Sequence, residues 1–370
     1  MKQQFTRYLY LYEEIELSLL LSLLNKQNLD RVLFWCYELY YSSPENNIFP
    51  LLIKIYFDFY ALKNPKFYDY ITKNYEKWKN DKDVWIVGNI CKNLFGFKYN
   101  CNVFLIRQCH NSITKDDIIL YRGRKPQWTS KFDKKFHNLY IAINKREYKY
   151  ICYYLKTLKC DSKEKFLAII DYFEKVEDAS IIHENIMTSL KHYDNFEHYV
   201  LYSLMLLFDW NIDVNEKKIY TTLNNEEKDE IIHIQEDKIT PKYKTLKHKR
   251  KYKVSKGLGC FELVRKNFDL KDRMYYHWLY YCSDNAYWKP LLDNYTYKKN
   301  DVKEEIEFEN DDMLEEFYEK YGYMEPDEQD CETQEKATCN IEKLSWRDFT
   351  TSYSEYDDFI NFKNEIKFKF

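Results

Sequence analysis

Apolar residues return every three or four positions through the first hundred residues, the spacing of a helix with one buried face. Tyr8, Tyr12, Ile15, Leu19 and Leu23 make a first stripe, broken at Asn25 to Asn28. Leu29, Val32, Leu33, Cys36, Leu39 and Tyr40 make a second, closed by Ser42-Ser43-Pro44. Proline there removes a donor and cannot continue a helix. Leu52, Ile55, Tyr56 and Phe59 form a third stripe ended by Asn64-Pro65. Phe67, Tyr70, Ile71 and Trp78 form a fourth, and Val84, Val87, Cys91 and Leu94 a fifth.

Residues 111–134 interrupt the rhythm with Asp116-Asp117, a short apolar stretch from Ile118 to Tyr121, and the turn-like Arg122-Gly123-Arg124-Lys125-Pro126. Helical spacing then resumes at Phe136, Leu139, Tyr140 and Ile143, at Tyr148, Ile151, Cys152 and Leu155, and at Phe166, Ile169, Ile170 and Phe173. It continues through Ile182 and Ile186 to Leu201, Leu204, Met205 and Phe208.

The expected fold is all-α, an irregular array of helical hairpins for which solenoid-like stacking is one arrangement, with a charged linker and an acidic C-terminal region. No residue pattern recurs at a fixed period, as a tetratricopeptide, ankyrin or HEAT assignment would require. The expected segments are N-terminal hairpins at 1–110, a basic turn or linker at 111–134, a second helical array at 135–237, a basic linker at 238–256, a helical pair at 257–296, and an acidic and aromatic region at 297–370.

Composition narrows the classes. Six glycines and seven prolines in 370 residues leave few tight turns. That disfavours sandwiches, barrels and Gly-rich phosphate folds. The 37 tyrosines, beside abundant Lys, Asn, Ile and Phe and scarce Ala and Gly, match the codon bias of an AT-rich genome. A helical tyrosine is therefore weaker evidence of a stacking platform here than elsewhere. A net charge of −3 excludes a uniformly basic chain. The apolar run Leu17 to Leu24 is too short to span a bilayer and follows Glu13, Glu14 and Glu16, so no membrane insertion is expected. Ten scattered cysteines suit reduced thiols in the core of an intracellular protein.

Charge is nevertheless uneven. Nine Lys/Arg fall among the nineteen residues 238–256, centred on Lys247-His248-Lys249-Arg250-Lys251, whereas 301–335 holds sixteen Asp/Glu against two Lys. Lys247, Lys249, Arg250 and Lys251 are candidates for phosphate contact, or for a loop that pairs with the acidic region. Arg122, Arg124 and Lys125 resemble an AT-hook core, an arm laid in a narrow minor groove. Lys125 intervenes before the proline, and Tyr121 and Trp128 suggest a pinned structural turn instead.

Among metal-ligand types the densest region holds His183, His192, Asp194 and His198. Asp194 and His198 would share a helix face. Neither His-Glu-x-x-His nor Glu-x-x-His occurs between 183 and 198, and exposed polar positions on an amphipathic helix explain these residues more simply. Cys91, Cys101, Cys109 and His110 are spaced too widely for a zinc knuckle. Cys36, Cys91 and Cys152 fall on apolar faces, where a buried, inert thiol is the default. No Walker loop, Gly-x-Gly-x-x-Gly or Gly-x-Ser-x-Gly is present, and no cofactor is expected.

Leu29-Asp30-Arg31-Val32-Leu33-Phe34-Trp35-Cys36-Tyr37-Glu38-Leu39-Tyr40-Tyr41-Ser42, with Lys54 to Tyr60 and Asn64 to Phe67, resembles an uncharacterised family of nucleocytoplasmic large DNA viruses, the mimivirus and phycodnavirus relatives. Asn102 to Leu105, the Arg122 to Trp128 turn, Ile151 to Leu155 and the Trp278 to Tyr281 patch with Trp288 extend the resemblance. It implies a viral origin, with the host cytoplasm, a viral factory or the virion as location, and no activity. The hairpin around Trp35 is also similar to the helical collar of clamp loaders, without the ATPase motifs that accompany it. The leading expectation is a helical scaffold or adaptor with a protein partner. The alternative is a nucleic-acid-associated factor working through the basic segments.

Overall fold

A computed structural model describes residues 5–8, 10–26, 28–119, 125–176, 197–208, 219–235 and 277–321. The described chain is helical apart from one two-stranded hairpin, as the periodicity requires, and it divides into two units, each built from separated pieces of sequence.

The first unit comprises the described residues up to Leu52, those of Lys82–Gly96 and those from Thr221 on. It contains α1 (Tyr12–Asn25), α2 (Leu29–Ser42), α5 (Trp85–Gly96) and α11 (Asn225–Gln235). The side chain of Asn28 caps α2 by accepting from the Arg31 N–H at 3.1 Å. The C-terminal cap of α1, Lys26, takes a left-handed conformation. The two apolar stripes meet as expected: Ile15, Leu19, Leu23, Val32, Leu33, Cys36 and Leu39 are all fully buried. Against α2 lies α5, and Gly88 makes that approach possible. Its N–H donates to Tyr37 Oη at 3.0 Å, and a Cβ there would stand 2.7 Å from both Tyr37 Oη and Leu223 Cδ1. Two asparagines of α5 then hold an incoming extended segment. Asn93 donates to Thr221 O at 2.8 Å and accepts from Thr221 N at 3.0 Å, while Asn89 accepts from Leu223 N at 2.8 Å. A reciprocal Asn224–Glu227 capping box starts α11 immediately afterwards.

The same unit holds α12 (Trp278–Cys282), α13 (Lys289–Leu292), β1 (Tyr297–Asn300), β2 (Glu305–Phe308) and α14 (Asp311–Tyr321). The strands are antiparallel, with Tyr297 opposite Phe308 and Asn300 opposite Glu305. The acidic composition of residues 301–335 reads as a tail or a loosely docked appendage. Residues 297–321 instead fold onto Trp288, because their aromatics converge: Phe317 is fully buried against Phe308, Tyr295 and Tyr321 at ring separations of 5.3, 5.5 and 4.8 Å. The acids serve the local structure too. Asn310 caps α14 through the Met313 N–H, and Asp311 and Asp312 occupy its first turn, where the helix dipole favours negative charge.

The second unit comprises the described residues of Ile53–Asp81 and Phe97–Tyr220. The helix α3 (Phe49–Ile55) carries the chain into it and widens into a π turn at Tyr56–Tyr60, where Ala61 N donates to Tyr56 O at 2.8 Å. Then follow α4 (Phe67–Asp81), α6 (Asn102–Ser112), α7 (His137–Asn144), α8 (Tyr148–Thr157), α9 (Ser162–Val176) and α10 (Glu197–Phe208). Aromatic clusters tie these helices. Phe59 stacks on Phe104 at 5.0 Å, and Phe132, Tyr140 and Tyr172 group beside Trp128. Short 3-10 turns at Lys115–Asp117, Gln127–Lys131 and Lys134–Phe136 fill the interruption near residues 111–134. Among the described residues no helix is long and apolar enough to cross a membrane.

Candidate nucleic-acid interface

Charge in the second unit concentrates in residues 125–176, which hold twelve Lys/Arg and six Asp/Glu. Lys131, Lys134, Lys135, Lys156, Lys159 and Lys175 are among the exposed cations. Packing organises several of them into a strip. Lys131 Nζ donates to the Lys175 carbonyl at 2.8 Å, at the C-terminal end of α9, and both ammonium groups stand over the Phe132 ring at 5.4 and 5.3 Å. Lys135 reaches Glu164 in the first turn of α9. The segment 131–135 therefore lies along α9. Eleven residues separate Glu164 from Lys175, about 16 Å of helix. In duplex DNA each strand advances by one phosphate per about 3.4 Å of helix axis, so the strip spans the axial rise of roughly five nucleotides.

Carboxylates offset part of this charge, because Lys135 pairs with Glu164 and Lys175 with Asp171. Among the described residues neither Lys131 nor Lys156 has an ion-pair partner. Each is spent on carbonyls at a helix C-terminus: Lys131 on α9, and Lys156 on Asn111 and Ile113 at 2.7 and 3.0 Å, beside the end of α6. Such contacts orient the ammonium groups without neutralising them. The positive field reaches α6, where burial first, and then the charges of Lys156, Lys165 and Arg107, hold the His110 imidazole below its ordinary pKa.

A second polar grouping in this unit is buried. Arg107 Nε on α6 donates to Asp58 Oδ1 on the π turn at 2.7 Å, with side chains 11% and 0% exposed. Asp58 Oδ2, Arg107 Nη2 and His198 Nδ1 are buried without a hydrogen-bond partner among the described residues. Burial raises the Asp58 pKa more than Arg107 and Lys54 lower it. The His198 ring lies parallel to Phe57 at 5.8 Å, and burial with the charges of Arg107 and Lys54 pushes its pKa down to about 4. General-base work at neutral pH requires a pKa near the working pH, so this imidazole is poorly matched to it. Nothing in the sequence pattern marks Asp58 and Arg107 as partners; an acid within an apolar helical stripe is the one available signal.

Of the residues singled out by sequence, Lys125 is exposed at the start of the basic stretch. Arg122, Arg124, Lys247, Lys249, Arg250, Lys251, His183, His192 and Asp194 lie outside the described residues. His198 is placed on α10 against Phe57. Cys91 belongs to the first unit, and Cys101, Cys109 and His110 to the second. Among the described residues no three His, Cys, Asp or Glu side chains are grouped to hold a metal ion. A depression of about 90 Å³ between α7 and α8, lined by Asn138, Lys145, Glu147, Tyr150 and Tyr154, is well below the roughly 300–1,000 Å³ typical of small-molecule pockets. No family model matches the sequence, and no curated protein or solved structure is significantly similar to it.

Proposed function

We propose that the protein is a helical scaffold whose second unit holds a polyanion, nucleic acid by chemical class, along α9. The supporting observation is the strip formed by Lys131, Lys134, Lys135 and Lys175 on a unit whose residues 125–176 carry an excess of six cations, in a chain of net charge −3. Clustered ammonium groups gain affinity by releasing condensed counterions, and the gain needs no base-specific contact. Lys125 opens this stretch, and Arg122 and Arg124 precede it in sequence and would extend it.

Fluorescence anisotropy with labelled single-stranded and duplex oligonucleotides tests the proposal. Four phosphate contacts predict that log K falls with log salt at a slope of about −3 for single strands and about −3.6 for duplex. Lys131→Glu with Lys134→Glu should weaken binding at least tenfold and flatten the slope. Absence of binding at about 50 mM salt, where phosphate contacts are strong, or affinity unchanged by the double reversal, overturns it.

An adaptor for a basic protein segment is the second reading. It is favoured by the hairpin and α14 of the first unit, where residues 301–321 carry ten Asp/Glu against two Lys. Reversal of Glu315 and Glu316 to lysine would abolish such an interaction and leave oligonucleotide binding intact.

A further inference from the structure

Two of the described cysteines face each other across a helix contact. Cys36 on α2 and Cys91 on α5 are both fully buried, with their sulfurs 3.2 Å apart. Both belong to the first unit. Gly88 explains the contact: it lies one turn before Cys91, and its missing side chain lets α5 close on Tyr37, the neighbour of Cys36. A disulfide has its sulfurs at about 2.04 Å, so closing this pair requires an approach of only about 1.2 Å.

We propose that Cys36–Cys91 is a site of reversible disulfide closure that clamps the first unit. The oxidant is a small-molecule disulfide such as oxidised glutathione. One cysteine thiolate attacks the glutathione S–S bond and expels one glutathione thiolate. The partner cysteine, as thiolate, then attacks the mixed disulfide and expels the second. Two protein thiols lose two protons and two electrons, and one glutathione disulfide becomes two thiols.

Burial governs when this happens. It pushes the Cys36 thiol well above its ordinary pKa, with the neighbouring sulfur adding to the effect. Only the thiolate is nucleophilic. Closure therefore proceeds through a locally opened or still-folding chain, and afterwards the bond is protected by the same burial. Other cysteines are placed differently. Cys152 directs its thiol to the Ile106 carbonyl at 3.7 Å and Cys282 to the carbonyls of Phe5 and Thr6 at 3.9 and 3.7 Å, and Cys160 lies near Glu164, Lys165 and Lys135.

The full-length chain is incubated with a glutathione redox buffer at a denaturant concentration below its unfolding midpoint, then returned to native conditions. Excess glutathione is removed, and thiols are counted by alkylation and mass measurement with peptide mapping. The free-thiol count should fall from ten to eight, through a Cys36–Cys91 peptide alone, and the unfolding temperature should rise by several degrees. Cys36→Ala should lose the cross-link, and Cys152→Ala should keep it. Retention of all ten thiols, glutathione adducts that never resolve, or cross-links that involve Cys160 or Cys282 overturn the proposal.

Discussion

Arg7 and Glu38 form an ion pair sealed from solvent, Nε 2.8 Å from Oε2, with side chains 3% and 0% exposed. Each charge is used further. Arg7 Nη2 donates to the Ile234 carbonyl at 2.7 Å, and Glu38 Oε1 accepts from Tyr8 N at 3.1 Å. Trp288 Nε1 donates to the Arg7 carbonyl at 3.3 Å. The N-terminal segment is thereby fastened to α2, α11 and the Trp288 region of the first unit. Removing one partner of such a pair strands the other in an apolar interior at about 3–5 kcal/mol, whereas replacing both with apolar residues is far cheaper. Glu38→Ala should therefore lower unfolding stability by that amount, and Arg7→Met with Glu38→Leu should recover most of it. Urea unfolding followed by circular dichroism reads both.

Gly88 carries a steric load as well as a hydrogen bond. Alanine there would place its methyl group 2.7 Å from Tyr37 Oη and Leu223 Cδ1, inside any real contact distance. Overpacking of this kind costs about 1–3 kcal/mol. Tyr37→Phe removes the oxygen in the way, although it gives up the bonds to Gly88 N and Val84 O. The two substitutions should consequently be less than additive in a double-mutant cycle, with a coupling of about 0.5–2 kcal/mol.

His198 makes stability fall on mild acidification. Its folded pKa is about 4 against an ordinary 6.5, so the unfolded chain takes up a proton that the folded chain refuses. The contribution is fully present above about pH 6.5 and is lost progressively as pH falls toward 4. For a half-buried ring it amounts to on the order of 1–2 kcal/mol once solvent screening is allowed for. Asp58, whose pKa is raised in the fold, works in the opposite sense. His198→Phe should flatten the urea midpoint between pH 7 and 4.5, and the difference from the parent isolates the imidazole. Parallel pH profiles for the two proteins would assign the acid sensitivity elsewhere.

Periodicity made the helices readable, since a stripe such as Ile15, Leu19 and Leu23 has one burial solution, and Cys36, Cys91 and Cys152 lie buried on the faces where spacing puts them. It marked Asn64-Pro65 as a stop but could not show the π turn before it, because one extra residue in a turn leaves the local apolar pattern almost unchanged. Pairings between distant positions were equally hidden. Arg7 with Glu38, and Asp58 with Arg107, are charges inside apolar runs whose partners lie 31 and 49 residues away. The 238–256 run stands out as one block of charge, whereas the lysines of residues 125–176 spread at helical intervals and become a strip only when 131–135 is laid along α9.

Phe317 is the main aromatic support of the β1–β2 hairpin, beside polar ties in which Tyr280 Oη donates to Asp301 at 2.7 Å and Lys299 Nζ to Ser283 at 2.6 Å. Two-stranded hairpins are marginal in water without a packed face, and this one gains its face from Phe317, which is fully buried among Phe308, Tyr295, Tyr318 and Tyr321 and 6.5 Å from the Trp288 ring. Phe317→Ala leaves a cavity costing about 3–5 kcal/mol, more than so small a subdomain can spare. The hairpin and α14 should detach as a unit while α1, α2, α5 and α11, held by contacts that do not include Phe317, stay folded. Limited proteolysis checks this. Cleavage in the turn around Val302, which is already 93% exposed, should accelerate more than tenfold, consistent with local opening, while cleavage within α2 keeps the parent rate. Equal acceleration at both places would mean that the whole first unit unfolds together and that Phe317 belongs to its common core.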